Sequence, residues 1–211
     1  MNSNDKIKTV SEQTGISVKE LNRLNQDLWY HGTTIEDAEN IRQKGVFANY
    51  NIGKSLDFGP GFYLSDTYHH AVSYIFKLPM VSPTGKLEAR ENWAVIEFKF
   101  NPYETLFVKL GQYKYCNFPK YNNDFAKFVL DNRTQNRNMT IHHYDLIWGV
   151  MSDSIPDQVI WNYKNGIISY DEAIEKFKKC NSMKQLFLSN QTLCDMLMIN
   201  NIYFKEEKQY A

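Results

Sequence analysis

A histidine, a glycine-flanked turn and two tyrosines are the residues of this chain best suited to chemistry. His31-Gly32-Thr33 follows directly on an apolar run that is typical of a strand. Gly59-Pro60-Gly61 turns the chain into Phe62-Tyr63-Leu64, and Tyr74 follows on a helical pattern. Glycine has no Cβ, so it lets the backbone approach a neighbouring group closely. Together these residues could hold a flat, polar ligand that bears phosphate.

These residues resemble the motifs of ADP-ribosyltransferases of the diphtheria-toxin and poly-ADP-ribose-polymerase branch. His31-Gly32-Thr33 is similar to the His-Gly-Ser/Thr motif of that branch. Gly59-Pro60-Gly61-Phe62-Tyr63-Leu64 is similar to its Gly-x-Gly-Ile/Phe-Tyr-Phe/Leu motif. The branch has a second Tyr eleven residues after the first, and Tyr74 lies eleven residues after Tyr63. The stretch from Asp57 to Leu64 is closer still to an uncharacterised bacterial group with this fold.

The resemblance implies that these residues bind NAD+. His31 would hydrogen-bond the ribose of the adenosine half, and Gly32 would hold the nicotinamide amide through its backbone. Thr33 would support that contact. Tyr63 and Tyr74 would pack the nicotinamide ring between them, and Gly59 and Gly61 would let the chain approach the ligand.

The third motif residue of the branch is a Glu on a late strand, and here the chain departs from the pattern. The best match is Gln185, which can bond a ribose hydroxyl but cannot act as a base. The resemblance thus implies a triad of His31, Tyr63 and Gln185. The departure argues against elongation into a polymer. The only late carboxylates near an apolar run, Glu206 and Glu207, lie close to the end of the chain.

The resemblance implies an α+β fold with a split antiparallel sheet, over residues 28–211. Residues 1–27 are predicted to form two short helices around Gly15, either a helix-turn-helix-like element or a flap packed on the domain. Strands are predicted at 28–30, 62–64, 93–100, 105–108, 146–150 and 183–188. Helices are predicted after Thr34, after Ser65 or Asp66, at 124–132, after Ser169 and at 191–198, with a polar tail beyond.

Three other patterns have both a structural and a functional interpretation. The aromatic residues of segment 111–123 either stack a base or fix a loop to the core. Arg133 and Arg137 belong to a predicted basic loop that either grips phosphate or is merely solvated. His69-His70 and His142-His143 are not expected to bind metal, because adjacent side chains point in different directions and lack ligands at the required spacing.

Composition limits the class of protein. The 211 residues suit one domain, or one domain with a small appendage. With 24 basic and 24 acidic residues the net charge is zero, which removes a global electrostatic argument for a nucleic-acid partner. Three cysteines in no CxxC spacing favour a reducing compartment. Neither a membrane span nor a signal peptide is expected, so the expected location is the cytoplasm.

The function expected from the resemblance is mono-ADP-ribosylation of a protein or nucleic-acid acceptor with NAD+ as co-substrate and without a metal. Such an enzyme would serve as a bacterial toxin or in phage conflict, with an antitoxin or immunity protein as a possible partner. NAD+ hydrolysis is a second hypothesis. A third is a catalytically silent module that binds NAD+ or a nucleotide-bearing partner.

Overall fold

Seven strands among the described residues form one mostly antiparallel sheet, with helices packed against both faces. The computed structural model describes residues 3–52, 56–77, 92–108, 113–134, 141–152, 156–177 and 183–205. The strands are β1 Leu28–Thr34, β2 Phe62–Ser65, β3 Trp93–Lys99, β4 Tyr115–Phe118, β5 Leu146–Val150, β6 Lys184–Leu188 and β7 Met198–Phe204. Their order is β4-β5-β6-β2-β1-β3-β7, and β4 pairs with β5 in parallel. The architecture is therefore α+β, as predicted.

Eight α-helices lie among the described residues. They are α1 Ser3–Thr14, α2 Val18–Leu24, α3 Ile35–Lys44, α4 Tyr68–Lys77, α5 Asn123–Thr134, α6 Pro156–Lys164, α7 Tyr170–Phe177 and α8 Gln191–Asp195. The longest, α1 and α5, have 12 residues each, and none of the described helices is long and apolar enough to cross a membrane.

The helix caps confirm two of the predicted starts and correct a third. Thr34 accepts a hydrogen bond from the Asp37 amide at 3.1 Å and begins α3. Ser169 begins α7, as predicted. Helix α4 begins later than predicted, because Thr67 supplies the capping oxygen and Ser65 is still part of β2.

Two predicted elements are wrong in type or length. The predicted strand at 105–108 is a helical turn, Glu104–Val108, because Asn101 caps it: its side-chain oxygen accepts from the Glu104 amide at 2.9 Å. The predicted helix at 191–198 ends at Asp195, and the tail that was expected to be only polar contains β7, which pairs along β3. The segment 111–123 likewise contains β4. The other predicted strands are confirmed to within a few residues.

The two faces of the sheet carry separate cores. The first face packs α1 to α3 over a cluster that includes Trp29, Leu64, Ile96, Trp148 and Leu186. The second face carries a cluster under α5 to α7 that includes Phe58, Phe125, Ile147, Ile174 and Phe187, and a smaller one under α4. Because successive side chains of a strand alternate between the faces, each strand contributes to both cores.

The N-terminal helices belong to the first of these cores. Leu21 and Leu24 of α2 are fully buried, and Ile7 of α1 is buried with them. Glu20 of α2 forms a buried ion pair with Lys184 of β6, with 2.6 Å between Oε1 and Nζ. Helix α2 is thus bonded directly to a strand in the interior of the sheet.

Candidate functional site

The site is organised by a short ladder between two neighbouring strands. β1 pairs with β3 along all seven residues, whereas it pairs with β2 at the single position Tyr30–Ser65. Where that pairing stops, the His31 side chain bridges the strands: Nδ1 lies 2.8 Å from the Tyr63 carbonyl oxygen. A carbonyl only accepts, so Nδ1–H is the donor. We call the region where residues 31–33 of β1 face residues 62–63 of β2 the notch.

The predicted triad is divided between the two sides of the notch. The His31 ring lies against Phe62 on the first face, with 4.4 Å between ring centroids. Tyr63 packs on the second face against Phe187, at 5.0 Å. Gln185 lies two residues before Phe187 on β6 and therefore shares that face. The structure brings Tyr63 and Gln185 to one side of the notch and leaves His31 on the other.

Tyr63 is held by its hydroxyl as well as by its ring. The hydroxyl donates to the Gly59 carbonyl at 2.7 Å and accepts from the Phe58 amide at 3.1 Å. These bonds close the turn in which Gly59 has a φ of +82°, a conformation that favours glycine. Burial, and next the nearby Asp57 carboxylate, raise the pKa of Tyr63 well above its ordinary value. The phenol is therefore neutral at physiological pH.

Gly61 and Gly32 each let two elements touch at the notch. A Cβ on Gly61 would lie 2.0 Å from the Phe187 ring, and a Cβ on Gly32 would lie 2.3 Å from the Ala71 carbonyl oxygen of α4. The backbone groups of Gly61 are bound from the side by the Asn51 amide, at 2.8 and 2.6 Å. Glycine at position 32 thus allows α4 to pack directly over β1.

Helix α4 brings Tyr74 over the same side of the notch as Tyr63. Tyr74 is 36% exposed, yet burial of its hydroxyl raises its pKa, and the Asp57 carboxylate raises it further. Tyr63 and Tyr74 interact with each other and with the same two charges, Asp57 and Arg133. Two neutral phenols therefore converge on one ion pair.

That ion pair also receives Gln185. Asp57 is 6% exposed and lies 2.7 Å from Arg133 Nη2. Its Oδ2 accepts from the Ser152 amide at 2.8 Å and from Gln185 Nε2 at 3.3 Å. Asp57 accepts from the Ser152 hydroxyl as well. A buried polar cluster thus closes the second-face side of the notch.

Sequence reasoning missed the role of Asp57 and misplaced Arg133. Arg133 lies in the last turn of α5 and is paired with Asp57 across 76 positions, so no local spacing could have joined them. The one available signal was that Asp57 opens the stretch that resembles the bacterial group. Arg137, Glu206 and Glu207 lie outside the described residues.

Thr33 lies on the first face of the notch beside His31. Its hydroxyl is 3.5 Å from Asp37 Oδ2, and Asp37 also accepts from the Tyr50 hydroxyl at 2.8 Å. Thr33 is thus tied to the first turn of α3.

The remaining candidates have structural partners. His70 Nδ1 lies 2.7 Å from Asp66 Oδ1, and both nitrogens of His142 are bonded to backbone groups. Among the described residues, no group of three His, Cys, Asp or Glu side chains could hold a metal ion. Phe118 is buried and the Tyr121 hydroxyl donates to the Met151 carbonyl, so these aromatic residues fix the chain to the core.

The comparisons with known proteins place the chain in a family without giving it an activity. No curated protein and no solved structure matches it. One family model matches residues 29–199, which include the notch and the Asp57 cluster. The chain therefore belongs to DUF3990, a family of proteins of unknown function.

Proposed function

We propose that this protein is a mono-ADP-ribosyltransferase that uses NAD+ and modifies a protein or nucleic-acid acceptor. The observation that carries the proposal is the convergence of Tyr63, Tyr74 and Gln185 at a notch whose other side holds His31. The short β1–β2 ladder is what a split sheet requires. Two neutral aromatic rings and an amide suit a nicotinamide riboside better than they suit a free anion.

The division of the triad suggests how NAD+ would lie. The nicotinamide half would occupy the second-face side, between Tyr63 and Tyr74, with its ribose toward Gln185. The adenosine half would reach His31 on the first face. A dinucleotide bent across the notch therefore satisfies both groups at once, with the Gly32 backbone at the crossing point.

The reaction needs positioning more than acid catalysis. The C1′–N bond of the nicotinamide ribose breaks, and its electron pair neutralises the pyridinium as nicotinamide leaves. The sugar becomes oxocarbenium-like, as in glycoside hydrolysis. The acceptor forms the new bond to C1′ and loses its proton to solvent. The neutral phenols and the Gln185 carbonyl would hold the ribose and the ring in place during this step.

The test is incubation of the purified protein with NAD+ labelled in the adenosine half, in cell lysate, followed by protease or nuclease digestion. A transferase releases nicotinamide and leaves label on a macromolecule; loss of label to one digestion identifies the acceptor class. Tyr74→Ala should reduce nicotinamide release by about tenfold or more, since it removes a stacking surface. Trp161→Ala, at an aromatic residue of α6 that is 55% exposed, is the matched control.

Each outcome decides between the hypotheses. Free nicotinamide without retained label would make the protein an NAD+ glycohydrolase. If Tyr74→Ala and Trp161→Ala behave alike, the notch is not the site.

Cytoplasmic toxicity belongs to the same proposal. Induced expression of the wild type in bacteria should arrest growth, and induced expression of Tyr74→Ala should not. A protein that rescues growth by binding the chain would be the antitoxin.

One observation favours a second candidate, a module that binds NAD+ without turnover. The carboxylate that Gln185 contacts, that of Asp57, is already paired with Arg133 and bonded to Ser152, which leaves it poorly placed to serve as a base. Calorimetric binding of NAD+ without nicotinamide release would establish this alternative.

A further inference from the structure

We propose that Asp57 is a positioning residue, which orients the Gln185 amide so that its carbonyl oxygen accepts a hydrogen bond from a ribose hydroxyl of the bound nucleotide. The inference rests on the proposed function, because that function supplies the ribose. Asp57 would thus compensate for the presence of Gln at position 185, where the resemblance leads us to expect Glu. The orientation of the amide follows from the hydrogen bonds that Asp57 and Gln185 already make.

Asp57 can act only as an acceptor in its surroundings. Arg133 donates to Oδ1 through Nε at 2.8 Å and also through Nη2 at 2.7 Å. The Ser152 amide donates to Oδ2 at 2.8 Å. Every one of these partners is a donor, which is the environment of an ionised carboxylate. The group that meets Asp57 from β6 must therefore also donate.

This requirement determines the orientation of the Gln185 amide. An amide has a donating NH2 end and an accepting carbonyl end. Nε2 lies 3.3 Å from Asp57 Oδ2, so the NH2 end faces the carboxylate and Oε1 is turned away from it. Among the described residues this is the one hydrogen bond that the Gln185 side chain makes.

Gln185 lies on the face of the sheet where the ribose is expected. Gln185 is opposite Ser65 on β2, and Ser65 is opposite Tyr30 on β1. Opposite residues of neighbouring strands share a face, so Gln185 lies on the face of Tyr63 and Gly32. Gln185 as a whole is only 7% exposed, but its Oε1 is not completely sealed from solvent. A ligand hydroxyl would meet Oε1 at this small opening.

The same geometry explains why Gln suits this position better than Glu. An ionised Glu in place of Gln185 would bring a second carboxylate to the buried Oδ2 of Asp57. Two carboxylates at that distance cannot both stay ionised without a large cost, so one would retain its proton. Protonated, the introduced group would copy the amide: its hydroxyl would donate to Asp57 and its carbonyl would face the ligand.

The first test needs no NAD+. Gln185→Glu, labelled with 13C in its side-chain carboxyl groups, is titrated by NMR. The introduced carboxyl should titrate well above the ordinary Glu value of about 4.3. Gln191→Glu is the matched control, because Gln191 also donates to a carboxylate, Asp195, at 2.7 Å, but both of these residues are exposed. A titration of Gln185→Glu near the ordinary value overturns the proposal.

The second test is the pH profile of nicotinamide release. In Gln185→Glu, release should fall by about tenfold per pH unit above the pKa of the introduced group, because only the protonated form copies the amide. In Gln185→Glu/Asp57→Asn this fall should disappear, since an amide at position 57 can donate to the ionised carboxylate. Asp157→Asn, which removes the exposed second carboxylate that pairs with Arg133, is the control and should show the wild-type profile.

The outcomes separate the inference from the proposed function. Release by Gln185→Glu that stays level or rises with pH would mean that the introduced carboxylate works when ionised, and this overturns the positioning role alone. If Gln185→Glu/Asp57→Asn does not fold, the NMR titration and the pH profile of Gln185→Glu alone still test the positioning role of Asp57. If the wild type neither binds NAD+ nor releases nicotinamide, the proposed function is wrong. The ribose hydroxyl is then also wrong as the ligand of Gln185, whatever the titration shows.

Discussion

Gly61 lies where the turn before β2 meets the side chains of β6. A Cβ at this position would be 2.0 Å from Phe187 Cε2 and 2.8 Å from the Leu188 carbonyl oxygen. The ring could move only by disturbing Tyr63, which packs on it. A single methyl group at position 61 would thus displace Phe187 and, through it, Tyr63 of the candidate site.

We therefore expect Gly61→Ala to lower the free energy of unfolding by about 1–3 kcal/mol, the usual cost of overpacking, and to reduce NAD+ binding. Gly166→Ala is the matched control, since nothing lies within 4 Å of a Cβ there and the only cost is its φ of +69°. Urea denaturation with calorimetric NAD+ binding measures both effects. Equal NAD+ affinity in the two variants would contradict the role of the Gly61 contact.

His142 makes the stability of the same turn dependent on pH. Its Nε2–H donates to the Phe58 carbonyl at 2.8 Å, and its Nδ1 accepts from the Tyr144 amide at 3.1 Å. Burial lowers the pKa of His142 below its ordinary 6.5. The folded state thus keeps this ring neutral at pH values where the unfolded chain binds a proton.

The sign of the effect follows from linkage. Because the folded pKa is depressed, the contribution of His142 is present above pH 6.5 and is lost as pH falls toward the folded pKa. We expect His142→Gln to lose less free energy of unfolding than the wild type between pH 7 and pH 5, in urea titrations. Tyr121→Phe removes the hydroxyl that donates to the Met151 carbonyl at 2.6 Å and should cost the same free energy of unfolding at both pH values. Parallel wild-type and His142→Gln profiles would disprove the linkage.

The residues of the notch divide into those that spacing predicts and those that only the fold reveals. The order and spacing of His31, Tyr63 and Tyr74 point to one site without any coordinates. That His31 lies on the opposite face from Tyr63 could not be predicted, because the face depends on strand register. Asp57 and Arg133 meet only through tertiary packing.

At the level of elements, a buried ion pair joins α2 to β6. Glu20 Oε1 lies 2.6 Å from Lys184 Nζ, and Glu20 Oε2 accepts from Trp148 Nε1 at 2.6 Å. Lys184 directly precedes Gln185, so the strand that carries the candidate site is held from the other face. Losing one member would leave a buried charge unpaired.

Lys184→Met should therefore lower the free energy of unfolding by about 3–5 kcal/mol, as measured in urea. Lys184→Met/Glu20→Gln should recover part of this loss, because the amide carries no charge and still accepts from Trp148. Arg42→Met breaks an exposed pair with Glu39 and should cost less than about 1 kcal/mol. A cost for Lys184→Met as small as that of Arg42→Met would show that the buried pair contributes little.

Elements were predicted well where caps and periodicity agree, and poorly where a cap was overlooked. Thr34 begins α3 as its spacing to Asp37 predicts. The apolar run at 105–108 suggested a strand, but Asn101 caps a helical turn there, and local capping prevails over the β-propensity of so short a run. β7 was missed because an edge strand exposed on most of its residues lacks a buried stripe.

At the scale of the whole molecule, the family match and the folded unit do not coincide. The match covers residues 29–199, which omits α1, α2 and most of β7. Yet α2 supplies the partner of Lys184, and β7 supplies Asn200 and Tyr203, whose side chains donate to the buried Glu97. A chain cut to the matched residues would leave both of these buried charges without those partners.

We therefore expect residues 29–199 alone to lack the cooperative thermal transition of the full chain. The physical reason is that the shorter piece lacks Leu21 and Leu24, which belong to the same buried core as Trp29 and Phe98, and removes partners of the buried Lys184 and Glu97. Circular dichroism and calorimetry of the two chains measure this directly. A sharp transition for residues 29–199 at the full-length midpoint would mean that the N-terminal helices are dispensable. The boundary at residue 28 would then separate an accessory element from a self-sufficient domain.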